Sequence, residues 1–113
     1  MIPEYFLVHK NEQLKSIIEK IVINSHRAVI VVDKKKVIGL ISEGDILKSL
    51  VYKKDLNATA STLMNKSFKF LNKKDNTEAK KIFKKYLCSL IPVVNSEMIL
   101  QDLITLDKFL AEL

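Results

Sequence analysis

Apolar positions recur along the chain in two different periods, and the order in which they alternate is itself a pattern. Leu14, Ile17, Ile18, Ile21 and Val22 follow i, i+3, i+4, i+7, i+8, which predicts a helix opening near Asn11 with one apolar stripe. After Asn24-Ser25 the spacing changes to the unbroken run Ala28 to Val32, a polar turn from Asp33 to Lys36, and a second run from Val37 to Ile41. Two β-branched runs across a tight turn predict a hairpin of buried strands. Ser42 then opens another helix with Ile46, Leu47 and Leu50 facing inward, and Tyr5 to Val8 predicts a short strand ahead of the first helix.

The same order returns in the second half. Phe68 to Leu71 reads as a strand, and a helix follows from about Asn76 with its stripe at Ala79, Ile82, Phe83 and Tyr86. Leu90 to Val94 and Met98 to Ile104 form a second hairpin across Asn95-Ser96-Glu97, and Thr105 to Leu113 closes with a helix. Val31-Val32-Asp33 matches Val93-Val94-Asn95 at an offset of 62, and Ser42 matches Thr105 at 63. The fold class that follows is α/β: one β-α-β-β-α unit used twice, residues 1–56 and 57–113, packed with pseudo-twofold symmetry. One unit alone has helices on a single face of a small sheet, so two copies are needed to bury a shared core, and their packing creates clefts between the halves. The connector from Tyr52 to Lys66 is polar, with a short helix expected around Ala60 to Met64.

Composition narrows the function. At 113 residues with 48% hydrophobic and 28% charged content the chain reads as one soluble domain, and no apolar run approaches the length of a membrane span. The segment MIPEYFLVHK lacks the features of a signal peptide, so a cytoplasmic location is expected. The net charge of +6 comes from lysine pairs such as Lys73-Lys74, Lys80-Lys81 and Lys84-Lys85, with Arg27 the sole arginine. Without aromatic and basic residues interleaved, these read as solvated surface, and no nucleic-acid partner is expected. Cys88 sits in the apolar string LCSLIPVV and reads as a small buried hydrophobe. His9 has no cysteine or carboxylate cluster at metal-ligand spacing, and no nucleophile-base constellation or Gly-rich phosphate loop stands out, so neither metal nor catalysis is expected.

One short stretch carries candidate chemistry: GLISEGDIL, Gly39 to Leu47. S-x-x-D ahead of an apolar helical run is a capping box, in which the serine oxygen accepts from a backbone amide and the acid reaches back to the cap amide. The same atoms suit a ligand: free helix N–H groups attract a phosphate, and a carboxylate accepts from two vicinal ribose hydroxyls. Gly44 beside Asp45 leaves room for a sugar. Spacing by itself favours the cap over the clamp.

The element order, the string AVIVVDKKKVIGLISEGDILKSL, the connector DLNATASTLMNKS and the later IPVVN resemble a tandem pair of CBS (cystathionine-β-synthase) domains, a Bateman module, over nearly the whole chain. Gly39 through Asp45 satisfies the family's strand-end pattern, a glycine, two apolar residues, serine or threonine, two further residues and aspartate. The resemblance implies a regulatory, non-catalytic sensor of adenine nucleotides (AMP, ADP or ATP) needing no cofactor, paired as a homodimer and attached to or partnering an enzyme or transporter. The forms SEGDI and TLDKFL and the join INSHRA are similar to CBS pairs that accompany sugar-phosphate nucleotidyltransferases and isomerases. It makes the clamp the main role of Ser42 and Asp45, and implies apolar walls for the adenine at Val8, Val29 and Ile30, with Ile38 nearby. Arg27 and His26 stand where they could meet phosphate or simply face solvent, and for His26 solvent is the expectation. In the second copy, Asp102 replaces the glycine, Thr105 can cap its helix, and Lys108 stands where Asp45 stood, with Asp107 one position early. One competent nucleoside site is therefore expected, and a second that is lost or altered, where Lys108 could attract phosphate only as a point charge. The rival reading is a ligand-free dimerisation module whose cleft has decayed, attached to or cut from a sugar-phosphate enzyme.

Overall fold

Pro3 starts a single 3-10 turn, Glu4–Phe6, whose last amide donates to the Pro3 carbonyl at 3.1 Å, and the strand β1 (Leu7–His9) follows it in a computed structural model that describes residues 2–112. The strand expected from Tyr5 thus begins at Leu7, because the turn swings Phe6 into the core. Helix α1 (Leu14–Asn24) crosses to β2 (Ala28–Asp33), which lies parallel to β1 and antiparallel to β3 (Lys36–Ser42), in the order β1-β2-β3. Two left-handed residues, Lys34 at φ 51° and Lys35 at φ 70°, make the tight turn between β2 and β3. Helix α2 (Glu43–Tyr52) and the short α3 (Ala60–Leu63) complete the half. Helix α1 opens at Leu14 and not at Asn11, because the preceding residues are already bonded to the connector. Leu14 N donates to Ala58 O at 3.0 Å and Ala60 N to Glu12 O at 2.8 Å.

The second half is α4 (Asn76–Tyr86), β4 (Leu90–Val94), β5 (Leu100–Thr105) and α5 (Leu106–Ala111). Its leading strand contracts to Leu71, which bridges Val93 in parallel through Leu71 N to Pro92 O at 3.0 Å and Val94 N to Leu71 O at 2.8 Å. Strand β5 starts at Leu100, since the hairpin turn is one residue longer than the first and Met98 takes φ 66° within it. That extra residue is why the repeat offset grows from 62 to 63. The closing helix ends at Ala111; Leu113, included in the expected helix, lies outside the described residues.

The backbone repeats its irregularities as well as its elements. Helices α1 and α4 both end on a left-handed residue, Ser25 at φ 59° and Leu87 at φ 51°. Each hairpin also carries a bulge: pairing jumps from Val31–Gly39 to Val32–Val37 and from Val93–Asp102 to Val94–Leu100, leaving Ile38 and Gln101 unpaired.

The core has three layers. Phe6, Ala28, Ile30, Val37, Leu90 and Val94 are buried where the two sheets face each other. Leu14, Ile17, Ile21 and Ile46 cover the outer face of the first sheet over Val29, Val31 and Ile41, and Ala79, Phe83 and Phe109 cover Ile91 and Val93 of the second. The expected inner stripes are only half used: Ile18, Val22 and Leu47 are exposed, with Val22 at 70%. Helix α3 lies so close to β3 that a Cβ on Gly39 would sit 2.6 Å from Met64 Sδ, and Leu40 and Asn65 exchange two backbone bonds that hold it there. Asp102, the equivalent of Gly39, has its carboxylate 3.2 Å from Lys74 Nζ.

Candidate functional site

At the end of the molecule where β2 and β4 begin and α2 and α5 start, the halves leave a cleft of about 850 Å³. Its floor joins the two equivalent loops, with the Ser89 hydroxyl donating to the His26 carbonyl. Glu43 N donates to the Arg27 carbonyl at 3.1 Å, which fixes the first turn of α2 beside the start of β2. Arg27 itself stands at φ 65°, a left-handed conformation that a long side chain seldom adopts.

Ser42 and Asp45 form the complete capping box. Asp45 N donates to Ser42 Oγ at 3.2 Å, and Asp45 Oδ2 accepts from Ser42 N at 2.9 Å and from Ser42 Oγ at 3.0 Å. Both bonds to the carboxylate fall on Oδ2. Oδ1 accepts no side-chain or cap bond among the described residues, and Asp45 lines the cleft. The carboxylate is therefore both folded onto its own turn and open to a ligand. Gly44 is not needed for the protein's own packing, because a Cβ there would meet only Ser42 Oγ, at 3.6 Å.

Of the ten residues singled out from sequence, Ser42, Gly44, Asp45 and Arg27 line this cleft. Val8, Val29 and Ile30 do not; each is at most 1% exposed, because β2 is covered on both faces, Val29 by the helices and Ile30 by the opposing sheet. Ile38 is turned away by the bulge and packs toward the helices beside Ile41. Thr105 is 4% exposed and makes no cap bond, and Lys108 lies off the cleft. The apolar wall comes instead from Phe68, Phe83, Tyr86, Leu106 and Leu110 of the second half. Tyr86 and Phe83 belonged to the helical stripe read as core, and Phe68 and Lys69 to the segment 68–71 read as a strand.

The cleft is polarised. Lys69 Nζ stands 4.5 Å from the Tyr86 ring centre and Lys85 Nζ 5.4 Å, on the second-half side. Lys85, against a smaller opposing effect of desolvation, and then Lys69 hold the Tyr86 hydroxyl below its ordinary pKa. The acids are Glu43 and Asp45 from α2 and Asp107 from α5. His26, expected in solvent, has a side chain only 23% exposed, with Nε2 3.0 Å from Asp107 Oδ1. Thr105 chiefly, opposed by desolvation, and then the Lys108 amide and His26 hold the Asp107 carboxyl below the ordinary range. Cys88 also lines the cleft, and burial pushes its thiol up, away from the thiolate a nucleophile needs. Among the described residues no cluster of histidine, cysteine or carboxylate side chains could hold a metal, and no helix is long and apolar enough to cross a membrane.

Residues 1–52 match the family model of the CBS domain. No curated protein sequence matches the chain. Among solved structures, a Methanocaldococcus jannaschii protein described as a putative archaeal homolog of g-AMPK superposes with a TM-score of 0.84 at 19% identity, over 96% of this chain and 46% of that one. A CBS domain-containing protein from Bacillus anthracis gives 0.82 at 19% identity, over 99% and 86%. A CBS domain protein from Pyrobaculum aerophilum, complexed with AMP, gives 0.76 at 16% identity, over 94% and 88%. The fold is that of the Bateman module.

Proposed function

We propose that this chain belongs to the CBS-pair family, with repeats at residues 1–56 and 57–113, and binds an adenine nucleotide (AMP, ADP or ATP) in the cleft between them. The observation that carries the reading is Asp45 at the N-terminus of α2: it lines a cleft of about 850 Å³, and its Oδ1 accepts no bond among the described residues. In this reading Oδ1 accepts from the ribose hydroxyls, the apolar wall of Phe68, Phe83 and Tyr86 receives the base, and His26, Arg27 and Lys69 face the phosphate. The AMP bound by the Pyrobaculum protein supports the ligand class. Occupancy regulates a partner by favouring whichever arrangement of the halves binds the nucleotide more tightly. The partner is an associated or fused cytoplasmic enzyme or transporter, with sugar-phosphate nucleotidyltransferases and isomerases the class suggested by SEGDI and TLDKFL.

The exposed apolar residues Ile18 and Val22 on α1 and Leu47 and Val51 on α2 support a homodimer joined through the first repeat's helices; α4 exposes lysines instead. The experiment is a thermal-shift panel of AMP, ADP, ATP and S-adenosylmethionine followed by calorimetry. A specific ligand at a hundred times its Kd adds about 2.7 kcal/mol to the folded state. A panel in which no adenine compound raises the melting temperature refutes the sensor reading and leaves a ligand-free dimerisation module.

A further inference from the structure

The second repeat delivers its own anion into the cleft. Asp107 stands in the first turn of α5, where its Oδ1 accepts from Lys108 N at 2.8 Å and lies 3.0 Å from His26 Nε2 on the far side of the repeat boundary. His26 is held from all sides. Its amide donates to Asn24 Oδ1 at 2.7 Å, its Nδ1 contacts the Asn24 carbonyl, its own carbonyl accepts from Ser89, and the Phe6 ring packs 5.2 Å away. The remaining charges lining the cleft with it are Arg27, Glu43, Asp45 and Lys69.

We propose that Asp107 is a built-in competitor for the anion seat at His26, occupying the position a ligand phosphate would take and so setting how much phosphate contributes to binding. The proposal rests on the nucleotide reading of the cleft only for the identity of the natural ligand. A phosphate approaching His26 meets a carboxylate already held by the Lys108 amide and the His26 ring, and must displace it or share the ring with it. An uncharged part of a ligand meets no such opposition. In the sequence Asp107 falls one position before the equivalent of Asp45. That offset turns it toward His26 and away from its own cap: among the described residues Thr105 N donates no bond to it, whereas Ser42 N donates to Asp45 Oδ2.

The test compares the unaltered chain with Asp107→Asn, Asp107→Ser and the double variant His26→Gln with Asp107→Asn. Inorganic pyrophosphate, AMP and adenosine are titrated by calorimetry, and pyrophosphate also against the His26 ring resonances. Asp107 is two-thirds exposed, so removing its charge is expected to tighten pyrophosphate and AMP only modestly, by about fivefold. Adenosine affinity stays unchanged, and the gain disappears in the double variant. Pyrophosphate or AMP affinity that is equal or weaker in folded Asp107→Asn and Asp107→Ser, or a gain that survives the loss of His26, overturns the proposal. Failure of adenosine and AMP to bind any form refutes the nucleotide reading instead, while the pyrophosphate arm still decides the role of Asp107.

Discussion

Asp45 uses its two oxygens differently, and Asp45→Asn separates them. The box costs Oδ2 two contacts, to Ser42 N at 2.9 Å and Ser42 Oγ at 3.0 Å, and an asparagine carbonyl can still accept from the Ser42 amide. What the fold loses is one negative charge in the first turn of an exposed helix end, roughly 0.5 kcal/mol, or about 3 °C in melting temperature. The ligand loses much more, since a carboxylate accepting from two hydroxyls makes charge-assisted bonds worth about 1.5 kcal/mol each at the low end. Together that is about 3 kcal/mol, or roughly a hundredfold in Kd. Ser42→Ala has the opposite profile: it deletes the acceptor for Asp45 N at 3.2 Å and costs about 1 kcal/mol of stability as a lost cap. Its effect on affinity is severalfold at most. Calorimetry with AMP and thermal melts on both variants give four numbers. Affinity unchanged in Asp45→Asn, or lost equally in Ser42→Ala, means that the carboxylate only caps the helix, and the ribose assignment falls.

Three further outcomes follow from the packing. Gly39→Ala places a methyl group 2.6 Å from Met64 Sδ and 2.8 Å from Met64 Cβ, so α3 must move and strain the Leu40–Asn65 bridge. Urea unfolding should show a loss of about 2 kcal/mol, partly recovered when Met64→Ala is added, and an unchanged midpoint would show that α3 is not held against β3. Ser49 is 7% exposed on α2 and its hydroxyl has no hydrogen-bond partner among the described residues, so Ser49→Ala should stabilise by about 1 kcal/mol; a destabilised variant would reveal a bond the packing conceals. Burial pushes the Glu12 carboxyl up, but Lys20, the His9 amide and Ser16 outweigh it and hold the value below the ordinary range. With the folded value below the unfolded one, the cluster's contribution is complete at neutral pH and is lost as pH falls through the folded value. Glu12→Gln should therefore cost stability at pH 7 and flatten the acid limb of the stability profile; an acid limb of unchanged slope would assign the loss to other carboxylates.

Local pattern determined much of this protein. The period of Leu14, Ile17 and Ile21, the paired β-branched runs and the return of the order at an offset of 62 are written in neighbouring residues, and they yielded the elements, the repeat and the capping box at Ser42. Boundaries drifted where a distant segment claimed the backbone, as the connector does at Gln13 through its bridge to Thr59. The site was half legible. Ser42, Gly44 and Asp45 are contiguous, so their chemistry can be read in order, whereas the walls of a cleft between two repeats come from segments far apart in the chain. Whether an apolar residue on β2 faces a ligand or a second sheet depends on what lies across from it, which is why Ile30 became core and Phe68 became wall. A single bulge reversed Ile38, and one helical position carried Asp107 across 81 residues of chain to His26. Periodicity is set by bonds between near neighbours, but the facing of two halves is set by which surfaces exclude water best when they meet, and that is decided only once the whole chain has folded.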